Sequence, residues 1–207
     1  MTSGSATRRE KQSHEALNGV RSERAHRSRR HRLVTGLWVV VALVVAGLVT
    51  AGLWSARPQQ STAVRSAADF TLPGSEGGNV HLAGLRGHPV LLYFSEGAGC
   101  DACLVQMAKI EADPGFTAAG VTVLPIVMNT ADQINADRRR LAVKTPFLLD
   151  DGTVSKEYGT LGTGMHAGLP GHGFVLIDAQ GDQVWKGDYP SMWIDPGTLL
   201  GLVRNHL

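Results

Sequence analysis

The chain opens on a polar, arginine-rich stretch and then turns abruptly apolar: residues 33–56 contain no charged side chain over 24 positions. No polar stripe interrupts the run, as it would in the surface helix of a globular domain. Spanning the hydrocarbon core of a bilayer takes about 20 residues. Trp38 and Trp54 stand near the two ends, where indoles favour the membrane–water interface. The pattern predicts one uncleaved transmembrane signal-anchor over 33–56. A polar arm over 1–32 precedes it, and a Ser-, Gln- and Ala-rich linker over 57–67 follows.

Beyond residue 67 the periodicity changes to that of a mixed α/β domain. Two short segments, 69–72 and 79–82, flank the Gly-rich run 73–78 and predict a hairpin. The unbroken apolar runs 89–95 and 121–128 predict strands buried on both faces. Helical spacing follows each of them, over 102–112 and 130–143. A short extended segment falls at 147–150. Segments 174–178 and 183–186 predict a second hairpin, and Asp195-Pro196 opens a last helix with Asp as cap and Pro at the first helical position. Strand–helix–strand units require parallel neighbours and right-handed crossovers, and the late hairpin adds an antiparallel edge. The predicted class is α/β: a sandwich with a mixed sheet over 68–207, preceded by one transmembrane helix.

Charge sharpens this division. Residues 1–32 hold nine Lys/Arg and three Glu, a balance of +6, whereas residues 66–207 hold nine Lys/Arg and fifteen Asp/Glu, a balance of −6. The positive-inside rule therefore places the amino terminus in the cytoplasm and the carboxy-terminal domain outside, with residues 33–56 in contact with membrane lipid. An outer domain at −6 lacks the basic face that nucleic acid requires. With 207 residues in all, there is room for one domain and an appendage.

The candidate chemistry lies in Cys100-Asp101-Ala102-Cys103, the only two cysteines of the chain, placed where a buried strand gives way to a helix. Two thiols at this spacing can close a disulfide. The free N–H groups and partial positive charge of a helix start favour a thiolate on Cys100. Cys103, one turn in, is then the less exposed, resolving thiol. Outside the membrane a disulfide can form and persist. Glu96 is the nearest preceding acid and a candidate proton acceptor for Cys103, against the plainer reading of an exposed loop carboxylate. His166 and His172 lie with Pro170 in a Gly-rich loop and are candidates for tuning the thiols. Alternatively Cys100, Cys103, His166 and His172 would form a copper or zinc site, which would make the chain a metal chaperone. Arg138-Arg139-Arg140 reads as a solvated helix face. Trp185, Tyr189, Met192 and Trp193 read as edge packing, with a partner-docking patch as the alternative.

The run from Ala68 to His206 resembles the thioredoxin-like superfamily, in the branch shared by peroxiredoxin-like redoxins and membrane-anchored thiol–disulfide oxidoreductases. The resemblance rests on Asp69-Phe70-Thr71-Leu72, the Gly87-x-Pro89-Val90-Leu91-Leu92-Tyr93-Phe94 run, Cys100-x-x-Cys103, Pro146-Phe147, Tyr158-Gly159 and Phe174-Val175-Leu176-Ile177-Asp178. It implies Cys100 as nucleophile and Cys103 as resolver, protein thiols and disulfides outside the membrane as clients, and an unidentified redox partner. No organic cofactor is required, because the chemistry is in the cysteines. The family's cis-proline facing the disulfide would map onto Pro170 or be replaced by His172. Peroxidases of the superfamily carry Pro seven residues and Thr or Ser three residues before the reactive cysteine. Tyr93 and Gly97 stand there, so thiol peroxidase is the alternative to thiol–disulfide exchange.

Overall fold

The computed structural model describes residues 35–55, 57–162 and 167–207. The basic arm and His166 lie outside them. Helix α1 spans Thr35–Ser55, with a mean hydropathy of 2.4 and no buried share, and is long and apolar enough to cross a membrane. The globular unit is separate from it and runs over Ser55–Leu207.

That unit is built from β1 (Gln59–Ser61), β2 (Arg65–Ser66), β3 (Thr71–Pro73), β4 (Asn79–His81), a 3-10 turn at Leu82–Leu85, β5 (Val90–Phe94), α2 (Asp101–Ala112), α3 (Pro114–Ala118), β6 (Thr122–Val127), α4 (Ala131–Arg140), β7 (Leu148–Leu149), α5 (Thr153–Glu157), β8 (Gly173–Ile177), β9 (Asp182–Asp188) and α6 (Pro196–Asn205). The main sheet runs β1-β9-β8-β5-β6-β7, with β2 also on β9, and β3 and β4 form a separate hairpin. β5 pairs in parallel with β6 and antiparallel with β8, and β8 pairs antiparallel with β9. This is the mixed sheet that the sequence predicts.

Every residue of β5 is buried. Its alternate side chains serve two cores, as the period of two in a strand dictates. Leu91 and Tyr93 point to one face with Cys103, Leu104, Met107, Phe174 and Leu199, while Val90, Leu92 and Phe94 point to the other with Phe70, Leu72, Tyr158 and Val175. Burying each such side chain contributes about 1.5–3 kcal/mol. Helix α4 starts with a reciprocal cap: Gln133 N–H donates to the Thr130 hydroxyl and Thr130 N–H to the Gln133 side chain. Helix α6 starts on Asp195, whose carboxylate accepts from Thr198 N–H, with Pro196 at its first position.

Three readings change. The segment 57–67 is not structureless, because β1 and β2 lie within it and pair with β9. Arg138 does not lie on a solvated face. It is 4% exposed, and its guanidinium donates to Glu76 Oε1 (2.9 Å), Asn135 Oδ1 (2.7 Å) and the Lys144 carbonyl (2.6 Å). Its position four residues after buried Ile134 puts it on the inward face of α4. Among the late aromatics, Trp185 is fully buried and donates to Gln60 Oε1 of β1, and Tyr189 is buried too, while Trp193 remains exposed.

Candidate active site

β5 ends at Phe94, and the chain reaches α2 through residues 95–100. Two left-handed glycines shape this connection: Gly97 at φ +72° and Gly99 at φ +91°. The turn leaves no room at Gly97. A Cβ there would lie 2.2 Å from Asn129 Oδ1 and 2.6 Å from Val127 Cγ1. Asn129 Oδ1 is held in place by accepting the Ala98 N–H (2.8 Å). The Gly99 N–H donates to Asp137 Oδ2 (2.9 Å), and the Cys100 N–H to the Gly97 carbonyl (3.0 Å).

Cys100 caps α2 and is half-buried, while Cys103, one turn in, has no exposed surface. The two are joined in a disulfide. Cys103 is the less exposed of the two, as its place one turn into the helix implies. Glu96 lies half-buried in the connecting loop, not at its surface.

Beneath the pair, the Tyr93 hydroxyl donates to the Cys103 carbonyl (3.0 Å) and lies 3.2 Å from His172 Nδ1. A hydroxyl has one proton. With that proton given to Cys103, the imidazole N–H at Nδ1 donates to the Tyr93 oxygen, and Nε2 becomes an acceptor. Nε2 is buried, with no hydrogen-bond partner among the described residues. The Tyr93 ring stacks on Phe174 (4.7 Å between centroids), which meets His172 edge-on. Burial pushes the Tyr93 phenol up and lowers His172 from 6.5 to about 4. His172 is therefore neutral at physiological pH. A neutral imidazole adds no positive charge beside a Cys100 thiolate.

The two candidates for the position ahead of β8 take different places. His172 immediately precedes β8 and reaches the redox pair through Tyr93. Pro170 is buried two residues earlier, bridged to Leu161, and no described peptide bond is cis. Among the described residues no group of three or more His, Cys, Asp or Glu is placed to hold a metal ion. The sulfurs that would ligate one are bonded to each other, and one ring nitrogen of His172 is engaged with Tyr93.

The buried imidazole makes stability depend on pH in a defined window. Between pH 6.5 and about 4 the unfolded chain holds a proton on His172 that the folded chain refuses. Stability is thus full above pH 6.5 and falls as the pH drops to about 4, by roughly 3 kcal/mol in all. Asp101, Asp137 and Asp69, each held below the ordinary 3.8, lose their contributions only at lower pH. Urea unfolding of the full chain at pH 7 and at pH 4.5 should show the loss, and His172→Phe should remove most of it. An unchanged slope in that variant would show that another group titrates.

Arg140, which the sequence places on a solvated helix face, completes the site. Arg140 of α4 forms a fork with Asp101 inside the motif, Nη1 to Oδ2 at 2.9 Å and Nη2 to Oδ1 at 2.5 Å, and it reaches Asp137 Oδ1 at 3.0 Å. The i,i+3 spacing of Asp137 and Arg140 was a usable signal for half of this cluster. The Asp101 half depends on how α4 docks beside α2.

The AhpC/TSA family matches residues 64–184. That is more than half of the chain, and the protein belongs to this family. A Mycobacterium tuberculosis protein provisionally named a peroxiredoxin is 34% identical over 98 residues, covering 46% of this chain and 62% of that relative. The match thus spans less than two thirds of the relative's length. The crystal structure of a peroxidoxin from Mycobacterium tuberculosis superposes with a TM-score of 0.57 at 18% identity, over 70% of this chain and 97% of the other. A solution structure from Bacteroides thetaiotaomicron, described provisionally as a protein disulfide isomerase, gives 0.54 at 24% identity, over 69% and 88%. These likenesses establish the thioredoxin-like fold.

Proposed function

We propose that the chain is a membrane-anchored thiol–disulfide oxidoreductase that exchanges its Cys100–Cys103 pair with protein thiols and disulfides outside the cytoplasm. The observation that carries this reading is the pair itself: a disulfide at the start of α2, one cysteine partly exposed and the other buried beneath it. The apolar helix Thr35–Ser55 and the nine basic residues preceding it support the anchor and its orientation.

In the reducing direction, the Cys100 thiolate attacks one sulfur of a client disulfide. The client S–S bond breaks, and its other sulfur leaves as a thiolate. Cys103, deprotonated, then attacks Cys100 Sγ. The mixed disulfide breaks, the client's second sulfur leaves, and the Cys100–Cys103 bond forms. Two electrons pass to the client, whose thiolates take up the two protons released. A second protein dithiol restores the pair by the same steps in reverse. A helix start favours a thiolate at its first position, which suits Cys100 both to attack and to leave. A ring closed over three residues contributes little to stability, consistent with a bond made to be broken.

Peroxide reduction is the second reading, favoured by the names of the relatives. Against it stand the two positions that precede the reactive cysteine in peroxidases. Tyr93 fills the first with a buried phenol committed to Cys103 and His172. At Gly97 no hydroxyl-bearing side chain fits. Stopped-flow oxidation of the reduced full-length chain by hydrogen peroxide should proceed no faster than that of a free thiol of the same pKa. Acceleration by several orders of magnitude would replace the exchange reading with the peroxidase one.

A further inference from the structure

Three charged side chains engage the residues on either side of Cys100. Asp101 is part of the motif and 59% exposed, Arg140 is 48% exposed, and Asp137 is 21% exposed. The Arg140 guanidinium is shared between the two carboxylates, facing Asp101 in the two-point geometry that arginine makes with a carboxylate. Asp137 also takes the Gly99 N–H. Residues on both sides of Cys100 are therefore tied to α4, Gly99 through Asp137 and Asp101 through Arg140. The left-handed conformation of Gly99 gives the loop this course, and nothing stands within 4 Å of a Cβ built there.

The local charge balance depends on Arg140. With it, the cluster carries −1. Without it, two carboxylates stand beside the residue that must become a thiolate. His172, beneath the pair, is neutral. The arginine lowers the Asp101 carboxyl below its ordinary value, and the Gly99 N–H, then Arg140, do the same for Asp137. Both acids are therefore charged across the range in which a thiol titrates.

We propose that Arg140 is a positioning residue for the redox pair: it binds Asp101 and Asp137 into one cluster across the mouth of the motif and shields the Cys100 thiolate from their charge. The role rests on the exchange function proposed above and deepens it. The setting of Cys100 reactivity then comes partly from a helix distant in sequence, in addition to the start of α2. The cluster is exposed, so the effect is screened by salt and modest in size.

The test is alkylation of the reduced full-length chain by iodoacetamide at pH 7 and low salt, with the modified peptide identified by mass. Arg140→Met should slow labelling of Cys100 about fivefold. The same factor in the exchange equilibrium with glutathione moves the pair toward the disulfide by about 20 mV. Asp101→Asn should speed labelling, and Arg140→Met combined with Asp101→Asn should return it to within twofold of the parent. Arg140→Lys, which keeps the charge, should also stay within twofold. An Arg140→Met rate within twofold of the parent, or an Arg140→Lys rate as low as that of Arg140→Met, overturns the proposal. Labelling reads the thiol itself. Its outcome is therefore distinct from failure of the exchange function, which appears as an absence of mixed disulfides at Cys100.

Discussion

Replacing Gly97 with threonine, the change that would bring the loop closer to a peroxidase, should instead cost the fold about 4 kcal/mol or more. Two effects add. A non-glycine residue at φ +72° is strained by about 1–2 kcal/mol, and more if β-branched. The Cβ itself overlaps Asn129 Oδ1 and Val127 Cγ1. Moving Asn129 frees the Ala98 N–H, and moving Val127 disturbs the end of β6. The clash occurs at Cβ, so Gly97→Ala should lose nearly as much. That loss is a large part of the 5–15 kcal/mol typical of a domain. Urea unfolding of the full chain followed by circular dichroism measures it. A loss under 1 kcal/mol in both variants would mean the loop has another conformation. The turn at Gly97 thus has no room for the Thr or Ser that peroxidases of the superfamily carry there.

The second large effect is an asymmetry between the two cysteines. Cys100→Ser should abolish exchange with a disulfide substrate, lowering the rate by at least about a thousandfold, because no other thiol can attack once Cys103 is buried. Cys103→Ser should keep the first attack and lose the second, stopping at a bond between Cys100 and the client. Single-turnover mixing of each reduced variant with a small aromatic disulfide, followed by release of the coloured thiol, separates them. Cys103→Ser should release one equivalent quickly, and Cys100→Ser almost none. Equal rates for the two would overturn the assignment of attacking and resolving roles.

Much of this site was legible in the sequence because it depends on local order. The run 89–95 reads as a strand buried on both faces, and Val90–Phe94 within it is one. Cys100 falls where that strand gives way to a helix, so its place at the cap of α2 follows from chain order. Asp195-Pro196 announces the start of α6 by capping chemistry. The features that were not legible are tertiary. β1 and β2 are three and two residues long, too short for any alternation, and exist because β9 offers them partners. α5 covers five residues, less than two turns, and leaves no periodic trace. Arg138 and Arg140 are neighbours in one basic run, yet α4 turns the first into the interior and the second toward Asp101. The neutrality of His172 comes from burial against Tyr93 and Phe174, which no spacing announces.

The proposed function is tested most directly by trapping. Cys103→Ser in the full-length chain, expressed in its own membrane and quenched with acid and alkylating agent, should migrate on non-reducing gels as discrete complexes that collapse on reduction. Mass spectrometry should place Cys100 in each bond, joined to a cysteine of a protein outside the cytoplasm. The Cys100→Ser, Cys103→Ser double variant should show none. If Cys103→Ser instead gives no complexes and accumulates Cys100 as sulfenic acid on exposure to peroxide, the account is contradicted, and the protein reduces peroxide rather than exchanging disulfides.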